Sequence, residues 1–144
     1  DQVSSTFGIT YANTISNVSP GSAYDLLIDL YFSEKADASV QKLELSINQI
    51  CVNSCYATYT DSITINGTGY SINYSPRSGS VPAHLAFNSI ASPQTTGVIN
   101  FLPYVKYAID HGYLASSDYL NSFQVSNEVF AGSATSVIKV KINP

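Results

Sequence analysis

The chain has 144 residues, enough for one domain with a substantial core. Its hydrophobic share of 44% excludes general disorder, while its charged share of 11% is less than half the usual ~25% and leaves a net charge of −4. Six Lys and Arg, nowhere clustered, exclude nucleic-acid binding, which needs grouped cations against phosphate, and no apolar run approaches the about 20 residues of a membrane span.

The first strand is read from DQVSSTFGITY. Val3, Ser5, Phe7, Ile9 and Tyr11 share one side of an extended backbone, and Gln2, Ser4, Thr6, Gly8 and Thr10 the other. An apolar strand at a terminus invites pairing with another chain unless it docks in its own sheet. The turn NVSPGS, residues 17–22, follows, with Pro presetting φ and Gly accepting φ > 0. In the second strand Leu26, Ile28, Leu30 and Phe32 face one way, and Asp25, Leu27, Asp29 and Tyr31 the other. The aspartates are expected on a solvated face.

A charged loop, residues 33–39, leads to a third strand with Leu43, Leu45 and Ile47 inward and Lys42, Glu44 and Ser46 outward. Beyond Cys51 and Cys55, TYTDSITI resumes extended structure with Ile63 and Ile65, NGTG makes a hairpin turn, and Tyr70, Ile72 and Tyr74 return. HLAF is a short strand. Residues 98–111 switch to helical spacing through Phe101, Leu102, Val105, Ala108 and Ile109, with Pro103 in the first turn and Gly112 at the end. A further helical turn is expected over SSDYLNS, capped by Ser116 or Ser117. Phe123 and Val125 begin another strand, and the chain closes with Ile138, Val140 and Ile142 inward and Lys139 and Lys141 outward.

Many short strands with Gly, Pro and Asn turns and one or two short helices indicate an all-β, jelly-roll-like sandwich with an extended N-terminal strand. The division expected is a donor strand over 1–11 and one sandwich domain over 12–144. The three-residue gap between Cys51 and Cys55 suits a small disulfide loop, with free thiols as the alternative. A disulfide points to an oxidising, extracellular setting. The sequons at Asn17, Asn66 and Asn73 suit a glycosylated exterior. With a strand beginning near residue 1, the chain reads as a secreted product whose signal peptide has been removed. His84 and His111 have no adjacent Cys or paired His, so no metal or cofactor is expected. No Gly-x-Ser-x-Gly motif and no phosphate-binding glycine loop occurs.

Two segments resemble the TasA/camelysin family of secreted fibre-forming proteins and their archaeal bundling-pilus relatives. One matches at Thr6, Phe7, Asn17, Val18, Pro20 and Gly21, then Leu26, Ile28, Leu30 and Phe32. The other matches at Asp118, Tyr119, Leu120, Phe123 and Val125. The resemblance implies a non-enzymatic structural subunit of an extracellular filament, a pilus or biofilm-matrix fibre. Its partners would be identical subunits, joined by donor-strand complementation through Val3, Ser5, Phe7, Ile9 and Tyr11, with lateral bundling of filaments. An extended segment can add to a sheet edge through main-chain hydrogen bonds, its alternate side chains filling pockets.

The alternative is a carbohydrate-active or carbohydrate-binding sandwich. AYDLLIDL and SNEVFAGSAT faintly resemble the two catalytic strands of glycoside hydrolase family 12. There a Glu nucleophile lies on the first and a Glu acid/base precedes an apolar-Phe pair on the second. Asp25 takes the nucleophile position here, Asp29 replaces a family aromatic, and Glu128 precedes Val129 and Phe130. The chain lacks Trp for sugar stacking and most of the family's N-terminal half.

Overall fold

A computed structural model describes residues 6–36, 40–53, 61–91 and 93–144. The elements run β1 (Gly8–Ser16), β2 (Ala23–Ser33), β3 (Leu43–Val52), β4 (Asp61–Ile65), β5 (Thr68–Ser75), β6 (Ala83–Ser89), β7 (Thr96–Asn100), α1 (Leu102–Asp110), β8 (Tyr119–Ala131) and β9 (Thr135–Asn143). They form the expected all-β jelly-roll sandwich. The smaller sheet has the order β7-β1-β9 and the larger β4-β5-β6-β3-β2-β8. All pairings are antiparallel except β3 with β6.

Alternation builds the interior. Leu26, Ile28 and Leu30 of β2, Leu45 and Ile47 of β3, and Leu85 and Phe87 of β6 are fully buried between the sheets. Each contributes about 1.5–3 kcal/mol of hydrophobic stabilisation. Phe87 is the hub of an aromatic cluster, meeting Tyr70, Tyr104 and Tyr107 edge to face at centroid distances of 6.4, 5.1 and 5.3 Å. β2 is also buried on its other face, where Asp25, Leu27 and Asp29 are 5%, 5% and 1% exposed. The aspartates expected on a solvated face therefore sit in the floor of a groove.

The N-terminal strand is internal to the sandwich. β1 pairs with β7 on one side and along its whole length with β9 on the other. Ile9 and Tyr11 are core residues at 0% and 3% exposure. Half-buried Phe7 packs edge to face on Phe101 and Phe123 at 5.4 and 6.1 Å. Val3 and Ser5 lie outside the described residues. The boundary expected after residue 11 falls in the middle of β1. Gly8 permits this pairing, because a Cβ there would stand 1.9 Å from the Ile99 carbonyl oxygen.

Three other segments depart from expectation. Part of 98–111 is strand β7, and α1 begins only at Leu102, with Pro103 in its first turn. Asn100 Oδ1, one residue before the N-cap Phe101, accepts the Leu102 N–H at 2.9 Å and so satisfies the first free amide of the helix. SSDYLNS makes no helical turn; from Tyr119 it pairs with the far end of β2. Val140 and Ile142, expected inside, are 43% and 54% exposed, because β9 ends the smaller sheet.

Candidate functional site

The outer face of the larger sheet carries a polar groove of about 370 Å³. Asp25, Leu27 and Asp29 from β2, Glu44, Ser46 and Asn48 from β3, His84 from β6 and Glu128 from β8 line it, with Asn53 and Phe130 at its end. Strand register brings them together. Asp25 stands opposite Glu128, and Asp29 opposite Gln124 on one side and Ser46 on the other. Glu44 stands opposite Tyr31 and His84.

A bulge shapes the floor. Leu26 pairs with Ile50 but Leu27 with Asn48, so Gln49 is the extra residue of β3. Gln49 turns into the interior and donates to Tyr70 Oη at 3.0 Å. The shift puts Asn48 on the groove face while Ile50 stays in the core.

Asp25 and Glu128 are the paired carboxylates. The backbone N–H of Glu128 donates to Asp25 Oδ1 at 3.3 Å. Burial, then the Glu128 charge, push the Asp25 carboxyl up to about 7, against the pull of that N–H; Asp29 adds to the rise. Glu128 is exposed on edge strand β8. One member is thus desolvated and the other open to solvent.

Asp29 anchors a second network. Ser46 Oγ donates to Asp29 Oδ1 at 2.5 Å, and Gln124 Nε2 to Asp29 Oδ2 at 3.0 Å. With its single hydrogen on Asp29, Ser46 accepts from His84 Nε2 at 2.8 Å. Burial lowers the His84 pKa, outweighing the nearby Asp29 charge. At 4% exposure and committed to Asp29, Ser46 has no role as a nucleophile. Burial raises Glu44, helped by the charges of Asp29 and Glu128 and opposed by a hydrogen bond from Tyr31.

Of the residues singled out from sequence, the structure gathers Asp25, Asp29 and Glu128, together with His84. Glu44, Ser46, Asn48 and Gln124 were missed. Their signal was the polar half of the β3 and β8 alternation, which reads equally well as solvent-facing. Cys51 is disulfide-bonded at the end of β3, and Cys55 lies outside the described residues. Asn17 and Asn66 are exposed turn residues with φ of 50° and 51°, and Asn73 is half-buried within β5. No group of three or more His, Cys, Asp or Glu able to hold a metal occurs among the described residues. No helix among them is long and apolar enough to cross a membrane.

No protein-family model and no curated protein matches the sequence. Solved structures do match. A family 12 xyloglucanase from Bacillus licheniformis superposes with a TM-score of 0.82 at 18% identity, covering 95% of this chain and 62% of its own. Endoglucanase 3 of family GH12 from Trichoderma harzianum gives 0.77 at 21%, covering 99% and 66%. The catalytic domain of Humicola grisea Cel12A, in complex with a soaked thio cellotetraose, gives 0.82 at 15%, covering 99% and 66%. The chain spans about 62% of the length of the xyloglucanase.

These neighbours overturn the filament reading. The similar structures are family 12 endoglucanases and xyloglucanases, with no TasA-like protein among them. The resemblance to fibre-forming proteins rested on a Pro-Gly turn between alternating strands and a helix-to-strand step, and any sandwich can supply the first. SSDYLNS is not the helix that the second requires. The expectation of a non-enzymatic pilus or biofilm subunit falls with it. What stands is a jelly-roll sandwich like that of the family 12 structures, with two carboxylates opposed on its groove.

Proposed function

We propose that the chain is a retaining glycoside hydrolase that cleaves β-linked glucans of the endoglucanase and xyloglucanase class, acting outside the cell. The observation that carries this reading is the cross-strand pairing of Asp25 and Glu128 on the groove floor. Directly opposed residues on neighbouring antiparallel strands have Cβ atoms about 4.5–5.5 Å apart. Retaining enzymes set their two carboxyl groups about 5–5.5 Å apart, whereas inverting enzymes need about 6.5–9.5 Å to admit a water.

In this scheme Asp25 attacks the anomeric carbon and displaces the glycosidic oxygen, which takes a proton from Glu128. The glycosyl ester on Asp25 is then hydrolysed by water that Glu128 deprotonates, restoring both groups. Substrate reaches Glu128 from the solvent side, and Asp25 waits beneath it. The neighbours' printed activities and the disulfide at Cys51 support the substrate class and the extracellular setting.

The test is release of reducing ends from carboxymethylcellulose, mixed-linkage β-glucan and xyloglucan between pH 4 and 8. Activity lost in both Asp25→Asn and Glu128→Gln is expected. Undiminished activity in either variant, or none in the native chain, overturns the proposal.

A further inference from the structure

We propose that Asn48 and Asn88 form a subsite that reads the hydroxyl groups of a neutral sugar ring beside the Asp25–Glu128 pair. It rests on the reading of the groove as a glycan site and adds a specificity-determining element to it. The two side chains are partners in the parallel register of β3 and β6. Asn48 Nδ2 donates to Asn88 Oδ1 at 2.6 Å. Asn48 Oδ1 and Asn88 Nδ2 are left without any hydrogen-bond partner, although the residues are only 6% and 3% exposed.

A buried polar atom left unpaired costs about 1–3 kcal/mol, and native proteins keep few of them. Two such atoms on one asparagine pair call for an explanation, and their chemistry names the missing partner. One is an acceptor and the other a donor. A vicinal diol satisfies both, one hydroxyl donating to Asn48 Oδ1 and its neighbour accepting from Asn88 Nδ2. A phosphate or carboxylate offers only acceptors and would also meet the charges of Asp25, Asp29, Glu44 and Glu128. The site therefore selects a neutral polyhydroxyl ligand.

The placement suits a glycan. Ser126, Leu27, Asn48 and Asn88 lie in one register row across β8, β2, β3 and β6. Ser126 Oγ is a third buried polar atom without a partner. The row spans three strand spacings, about 14 Å, and lies one same-face step from the Asp25–Glu128 row. Leu27 supplies an apolar patch between the polar ends, fit for the C–H face of a pyranose. A glucan crossing the strands along this row presents its neighbouring linkage to the two carboxylates.

The test measures cellohexaose binding by calorimetry in Glu128→Gln, then in Glu128→Gln carrying Asn48→Leu and Asn88→Leu. Affinity at least tenfold weaker, with thermal stability unchanged or raised, is expected, since near-isosteric leucines remove the unpaired atoms together with both partners of the one bond between the side chains. Equal affinity with and without the leucines overturns the subsite and leaves the glycosidase reading standing. No binding in Glu128→Gln itself counts against both. Should the leucine variants not fold, the Asn88 side-chain amide resonances of Glu128→Gln decide: displacement on adding cellohexaose supports the subsite, and unmoved resonances in a chain that binds the sugar sink it.

Discussion

Asp25 and Glu128 are opposite partners on β2 and β8, and the backbone N–H of Glu128 points at the Asp25 carboxylate over 3.3 Å. The bond holds Asp25 Oδ1 at a fixed height on the strand. Asp25 is one methylene shorter than the Glu that the family resemblance places at this position, so its oxygen stops short of a sugar that Glu128 can protonate. Misplacement of a reacting group by about 1 Å can cost on the order of 100-fold in rate. Asp25→Glu is therefore expected to raise kcat tenfold or more on β-glucan, with little change in KM. A kcat that falls, in a variant that still folds, would show that Asp25 already stands at the productive distance.

The acid limb of the pH–rate profile should lie near neutrality. Attack requires Asp25 ionised, and burial, Glu128 and Asp29 together hold its carboxyl at about 7. Removing the Asp29 charge removes one of these three causes while keeping the side chain's shape. Asp29→Asn is thus expected to move the acid limb of kcat/KM to lower pH. The direction is the measurement: an unmoved or higher limb would mean that Asp29 does not act on Asp25 through charge. Because two close carboxyls titrate as a pair, the limb reports the pair's apparent value.

The sandwich was legible because its core obeys a two-residue period: Leu26, Ile28, Leu30 and Phe32 read as one buried face and are one. The groove was not, because the same period assigns Asp25, Asp29, Glu44 and Ser46 to the opposite face without saying whether that face meets water. Curvature and register decide this, and the pairing of Asp25 with Glu128 spans 103 positions in the chain. Local pattern misled at SSDYLNS, where a serine cap before a short polar run suits a helix; pairing with β2 overrode it. At the N-terminus the pattern was right and the destination wrong. Alternation through Ile9 and Tyr11 marks a strand, which the structure describes from Gly8 onward, but only the positions of β7 and β9 show that both its edges are filled by its own chain.

The groove should make stability fall as pH rises from about 4 to about 7. Unfolded, Asp25 releases its proton near 3.8; folded, it keeps it to about 7. Between these values the unfolded chain binds fewer protons, so rising pH favours unfolding, by at most about 1.4 kcal/mol per pH unit from this group. Above 7 its contribution is flat. Raised Glu44 acts in the same direction, and lowered His84 in the opposite one below its ordinary 6.5. Asp25→Asn isolates the first effect: urea unfolding from pH 4.5 to 7.5 should show a shallower fall in the variant than in the native chain. Identical slopes would contradict the burial of an ionisable Asp25.

Phe7 gives a test of where the first strand docks. Its half-buried ring meets Phe101 and Phe123 edge to face, and its carbonyl accepts the Phe101 N–H at 3.0 Å. Both contacts tie the entry of β1 to the start of α1 and to β8 within one chain. Truncation to alanine removes buried aromatic area and two ring pairs, about 2 kcal/mol together. For a chain of this size that lowers Tm by roughly 4–8 °C. The drop should be the same at every protein concentration, since β1 is paired with β7 and β9 of its own chain. A strand donated between molecules would instead give a Tm that climbs with concentration, and Phe7→Ala would steepen that dependence. Melting curves of both forms across a hundredfold range of concentration distinguish the two, and parallel, concentration-independent transitions are the expected result.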